Sequence, residues 1–114
     1  MTALILMYLI MVAVACATVR ASSSQWLDRD QRINARVIRL VWPARYEEQA
    51  VRVAYCEGRL RRWAHNGQYL GMFQMGSYAR ARYGHRFDAW TQARAALRYF
   101  NASGRDWSPW TCKP

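Results

Sequence analysis

Apolar and polar positions divide the chain into distinct stretches. Residues 3–19 form an apolar run closed by Arg20. Residues 21–30 are polar and Ser-rich and read as a spacer. A helical period then sets in, with Ile33, Val37, Leu40 and Val41 on one face of an expected helix over 31–41. Pro43 ends or bends it, because its ring disfavours helix in the residue before it. A second helix is expected over 44–60. Tyr46, Ala50, Val53, Ala54 and Glu57 share its apolar stripe, while Glu47, Glu48 and Arg52 fall mostly on the other side.

Residues 59–76 lose the helical period. Asn66-Gly67 is a tight-turn signal, so Gln68-Tyr69-Leu70 can pair back on the preceding residues as a small hairpin. Ser77 can cap a short helix to Tyr83 that Gly84 ends. Asp88 can cap another, with Trp90, Ala93, Leu97 and Phe100 on one face and Gly104 after it. The tail over 105–114 carries Trp107, Trp110 and Cys112. The expected fold class is mostly α with a little β (α+β).

The apolar run is short for a membrane span and suits a signal-peptide h-region. Small-x-small sites at Ala13-Val14-Ala15 and Ala15-Cys16-Ala17 fit cleavage; the missing Lys or Arg before the run counts against it, and a retained N-terminal anchor is the alternative. Cys16 also partly resembles a lipoprotein cleavage box. All three readings place the remainder outside the cytoplasm. The expected organisation is a signal peptide or N-terminal membrane anchor over 1–21, a spacer and leading helix over 22–43, and the domain that carries the chemistry over 44–114.

Without the leader two cysteines remain, Cys56 and Cys112. An even pair in an exported chain suggests a disulfide, two buried thiols being the alternative. A bridge closing 56 residues contributes roughly 4 kcal/mol on chain entropy.

A chain of 114 residues supports one domain and one core. Its formal charge of +10, from 17 Lys and Arg against 7 Asp and Glu, is almost all arginine, Lys113 being the only lysine. Such a surface expects an acidic partner or simply keeps the chain soluble. Aromatics make up 14% of the residues, more than so small a core needs, so several are expected along a surface groove.

Candidate chemistry centres on Glu57. Burial disfavours the charged form of a carboxyl group, and a carboxyl held protonated is a usable proton donor. The alternative is a helix-end glutamate paired with Arg59, Arg61 or Arg62. His65 and His85 are isolated, with no carboxylate or cysteine at ligand spacing, so neither a metal site nor a cofactor is expected. Cys56 has no His partner that would make it a nucleophile.

Tyr55-Cys56-Glu57-Gly58 followed by Asn66-Gly67-Gln68-Tyr69-Leu70-Gly71-Met72-Phe73-Gln74-Met75 resembles the lysozyme-like superfamily, in particular the soluble lytic transglycosylases and the resuscitation-promoting factors. Transglycosylases carry a Glu-Ser pair and a later Gly-Leu-Met-Gln motif; here Gln74 follows Glu57 by 17 residues. Resuscitation-promoting factors carry Cys-Glu-Ser-Gly and a disulfide from that Cys to the C-terminal part, which Cys56 and Cys112 resemble. The likeness covers roughly 46–112. Two positions depart from it. Gly58 stands where the family has Ser, and Tyr99-Phe100-Asn101-Ala102-Ser103-Gly104 only loosely matches the family's Ala-Tyr-Asn-Ala-Gly.

The resemblance implies a lysozyme-like fold, with helices around a small β-hairpin and a substrate groove. It further implies cleavage of the β-1,4 bond between N-acetylmuramic acid and N-acetylglucosamine, with Glu57 as acid and then base. Gln74, Tyr69, Met72, Tyr99 and Trp107 would contact substrate; Trp63 and Trp110 could also line the groove. The implied partners are peptidoglycan strands and possible anionic cell-wall polymers, with a secreted or wall-associated monomer that touches membrane only through its N-terminal segment. A muramidase on the same fold and a non-catalytic wall-binding or signalling module are the alternatives. Nucleic acid is not expected behind an export signal.

Overall fold

The structure, a computed structural model, describes residues 26–114. The leader expected over 1–21, with Cys16, lies outside the described residues. The elements run α1 (Arg29–Val41), α2 (Glu47–Gly58), β1 (His65–Asn66), β2 (Tyr69–Leu70), α3 (Ser77–Tyr83) and α4 (Ala89–Ala102). The fold is mostly helical, with one two-stranded antiparallel sheet and one disulfide.

α1 starts from a capping box: Asp28 accepts from the Gln31 N–H, and the Gln31 side chain accepts from the Asp28 N–H. It ends at Trp42, before Pro43. Its buried face is not the expected one. Gln31, Asn34, Ala35, Val37 and Ile38 face inward, whereas Ile33 and Leu40 are 50% and 63% exposed.

The reason lies in the turn after α2. There Arg59 and Leu60 both take left-handed conformations, at φ 54° and 57°, which cost L-residues roughly 1–2 kcal/mol each. Gln31 Nε2 donates to the Arg59 carbonyl at 2.9 Å, and Asn34 Nδ2 to the Leu60 carbonyl at 2.8 Å. Two buried amides of α1 thus satisfy the two carbonyls of the turn, and this rotates the helix away from its apolar stripe.

α2 begins at Glu47 rather than at 44, because residues 43–46 form a turn in which the Tyr46 N–H donates to the Pro43 carbonyl at 2.9 Å. Ala50, Val53 and Ala54 are fully buried, Tyr46 is half-buried, and Glu57 on the same stripe is half-buried at the helix end. The hairpin pairs His65 with Leu70 and Asn66 with Tyr69, with Gly67 at φ 58° in the loop. Asp88 caps α4 by accepting from the Thr91 N–H at 2.8 Å. Ser77 does not cap α3, whose N-cap is Gly76; the Ser77 hydroxyl instead donates to Gln68 Oε1 at 2.9 Å.

α1 packs on α4 and α2, and α3 packs on α4. Ala35, Val37, Ile38 and Trp42 belong to the same core as Phe73 and Phe100, so the packed unit includes the leading helix that the sequence set outside the domain over 44–114. Trp42 is its centre. Its ring lies 5.3 Å from Trp107, 5.2 Å from Phe100 and 5.9 Å from Phe73, and its indole N–H donates to the Ala93 carbonyl.

Candidate active site

Glu57 is carried by the last turn of α2, next to Gly58, where helix and hairpin exit come closest. A Cβ on Gly58 would sit 2.6 Å from the Gly71 carbonyl oxygen and 2.7 Å from that of Met72. The position admits only glycine. The helix end can therefore press onto the 71–74 turn, which brings Glu57 and Gln74 to one wall.

Two hollows of about 500 Å³ each flank that wall. Glu57, Asn66 and Gln74 line both. The first is completed by the hairpin and α3 residues Tyr69 and Tyr78, by Tyr99 of α4, and by Trp110 and Cys112 of the tail. The second is completed by Asp30, Arg59, Arg61, Trp63 and His65. Glu57 thus sits where two hollows meet, with aromatic rings along both.

The carboxylate is held from one side. The Cys112 backbone N–H donates to Glu57 Oε1 at 2.8 Å, and the disulfide between Cys56 and Cys112, with Cα atoms 6.1 Å apart, keeps that donor in place. Among the described residues no cation lies within ion-pair distance of Glu57. The arginines that could have neutralised it are engaged elsewhere. Arg61 pairs with Asp28 and reaches Asp30 at 3.8 Å, Arg62 reaches Asp30 at 3.7 Å, and Arg59 lies over the Tyr55 ring at 5.1 Å. The Arg61 guanidinium, with the Gln31 N–H after it, holds the Asp28 carboxyl below its ordinary value.

The other expected contact residues divide. Gln74, Tyr69 and Tyr99 line the first hollow with Glu57, and Trp110 borders it while its indole N–H donates to the Phe73 carbonyl at 3.0 Å. Gln74 adopts φ 47°, and its side-chain amide donates to the Gly71 carbonyl at 2.9 Å, so it also braces its own turn. Trp63, 62% exposed and stacked on Phe87 at 4.5 Å, forms a flat face in the second hollow. Met72 and Trp107 do not reach the groove. Met72 is fully buried, and Trp107 stacks on Trp42 while donating its indole N–H to Gln49. A thioether and a large ring gain more by filling the core than by lining water. Trp90, expected on one face of α4 with Ala93, Leu97 and Phe100, is 42% exposed with Arg94 over its ring.

The chain matches no protein-family model, no curated protein and no solved structure. What distinguishes the site is its own geometry.

That geometry includes residues the apolar pattern did not single out. Gln92, buried in α4, accepts from the Met72 N–H at 2.9 Å and donates to the Arg62 and Arg86 carbonyls at 2.9 and 3.0 Å. It ties three loops together behind the groove. A glutamine between Ala89, Ala93 and Ala96 on an otherwise apolar stripe was the available signal. Arg80 bonds the Gln68 and Met75 carbonyls and fixes the hairpin on α3. Asn66, Gln68 and Tyr78 add polar and aromatic lining to the first hollow. No periodicity marks them, because a two-residue strand, its turn and the first turn of a short helix carry them.

Proposed function

We propose that the chain is a peptidoglycan-cleaving enzyme of lytic transglycosylase type on a lysozyme-like fold, with Glu57 as its single catalytic carboxyl. The observation that carries this reading is the position of Glu57: unpaired by any described cation, and placed where two ring-lined hollows meet. A hollow on each side of the acid suits a polymer that continues past the bond being cut, and rings suit the apolar faces of sugars.

In the proposed reaction, protonated Glu57 gives its proton to the glycosidic oxygen as the bond from muramyl C1 to that oxygen breaks. The N-acetylglucosamine leaves with a free 4-hydroxyl. Glu57, now a carboxylate, takes the proton of the muramyl 6-hydroxyl while that oxygen bonds to C1, giving a 1,6-anhydro ring. The Cys112 N–H, directed at Oε1, orients the carboxyl group through both steps.

One observation favours a second reading, hydrolysis to reducing ends. A two-carboxylate glycosidase needs a partner that activates water or stabilises the cation, and Asp30 is the one other carboxylate lining either hollow among the described residues. Its oxygens face Arg61 and Arg62, which makes it a brace for the basic loop in the first reading. Mass spectrometry of fragments from purified peptidoglycan separates the two. Anhydro-muramyl ends, retained in Asp30→Asn, support the transglycosylase; reducing ends, lost in Asp30→Asn, support the hydrolase. Binding without any fragments means a wall-binding module.

A further inference from the structure

α1 carries a second pattern on the side turned away from the core. Arg29, Ile33, Arg36 and Leu40 recur at intervals of four, three and four residues, which stacks them along one helix face. All four are exposed, Leu40 at 63%, and Trp26 just before the helix is 87% exposed. Neither Arg29 nor Arg36 makes an ion pair among the described residues, whereas Arg39 on the flank is bound to Glu48. Asp28 and Asp30, the acids beside Arg29 in the chain, are engaged with Arg61 and Arg62.

We propose that this face of α1 lies on an anionic lipid surface. Branched aliphatics flanked by unpaired arginines are the pattern of a helix that rests in the interface, apolar groups down and guanidinium groups reaching the phosphates. Trp26 adds a ring of the kind that settles at headgroup level. No described helix is long and apolar enough to cross a membrane, so the contact is one of lying on the surface. The apolar run over 3–19 ends seven residues before Trp26, so a chain anchored there delivers α1 to the lipid within roughly 25 Å. A second copy is the poorer occupant. It would bring the same arginine stripe against its twin, on chains that each carry a formal +10.

The test uses the full chain with Cys16→Ser and an environment-sensitive fluorophore on Ile33→Cys or, as control, on Asn101→Cys at the exposed end of α4. Each is reconstituted with phosphatidylglycerol-containing vesicles and with purely zwitterionic vesicles. The proposal expects a blue shift at 33 and none at 101, only with the anionic vesicles and weakened by salt. Adding Arg29→Glu and Arg36→Glu should cut the docked fraction on the order of tenfold or more. It is overturned by equal shifts at 33 and 101, by equal shifts with zwitterionic vesicles, or by no shift at 33. A shift of the same size at 33 with soluble polyglycerol phosphate overturns the lipid assignment in favour of a phosphate polymer.

Discussion

The backbone N–H of Cys112 donates to Glu57 Oε1 across 2.8 Å, between residues 55 positions apart in the chain. The disulfide from Cys112 to Cys56, the residue just before Glu57, makes that contact local. The covalent link and the hydrogen bond lie on neighbouring residues of the same helix end, so the bridge both closes the fold and aims the carboxyl group. Replacing Cys56 and Cys112 together with Ser should lower unfolding free energy by roughly 2–4 kcal/mol in urea titration. Because Trp107 and Trp110 still hold the tail in the core, the variant should stay folded at room temperature while losing the proposed peptidoglycan-cleaving activity.

Gly58 carries the second prediction. A methyl group there meets two backbone carbonyls at 2.6 and 2.7 Å, and neither is the end of a flexible side chain. Gly58→Ala should destabilise by about 1–3 kcal/mol, read as a lower denaturant midpoint at unchanged slope. Gly58→Ser, which introduces the residue that lytic transglycosylases carry after their glutamate, should be no better, since the obstacle is Cβ itself.

The left-handed turn after Glu57 depends on two amides. Asn34→Leu leaves the buried Leu60 carbonyl without its partner at 2.8 Å, at a cost of about 1–3 kcal/mol. Gln31→Leu removes the corresponding partner of Arg59. Hydrogen exchange should quicken at residues 58–62 in both variants, and the proposed cleavage should fall with it.

These amides show how much of the fold is legible in the sequence. Asn66-Gly67 marked the hairpin, Asp88 marked the start of α4, and the cysteine count marked the disulfide; each is a local or counting rule. The buried face of α1 was not legible, because Gln31 and Asn34 look like surface residues until two carbonyls from a turn 26 to 28 residues away need donors. At the site, the apolar stripe of α2 singled out Glu57 and the resemblance to the transglycosylases singled out Gln74; both line the two hollows. Met72 and Trp107 were misplaced, because a large apolar side chain reads the same whether it lines a groove or fills a core. Gln92 went unmarked because its three partners lie in loops without a period.

Acid stability follows from Asp88. The Thr91 N–H it accepts, together with the Thr91 hydroxyl and nearby Arg86, holds its carboxyl below the ordinary 3.8. A depressed folded value means that the cap stabilises above the unfolded value and is lost as pH falls through the folded one. Asp88→Ala should cost about 1 kcal/mol at neutral pH. Thermal melts across pH 2–6 should show the gap between parent and variant closing only at the acid end.

Peptidoglycan cleavage by Glu57→Gln bears most directly on the whole account. The amide keeps the size and an acceptor oxygen for the Cys112 N–H but has no acidic proton to transfer. With parent and variant matched for folding by circular dichroism, anhydro-muramyl fragments should appear with the parent and fall by a factor on the order of a hundred or more with the variant. Equal release by the two proteins would contradict the assignment of Glu57 as the catalytic acid.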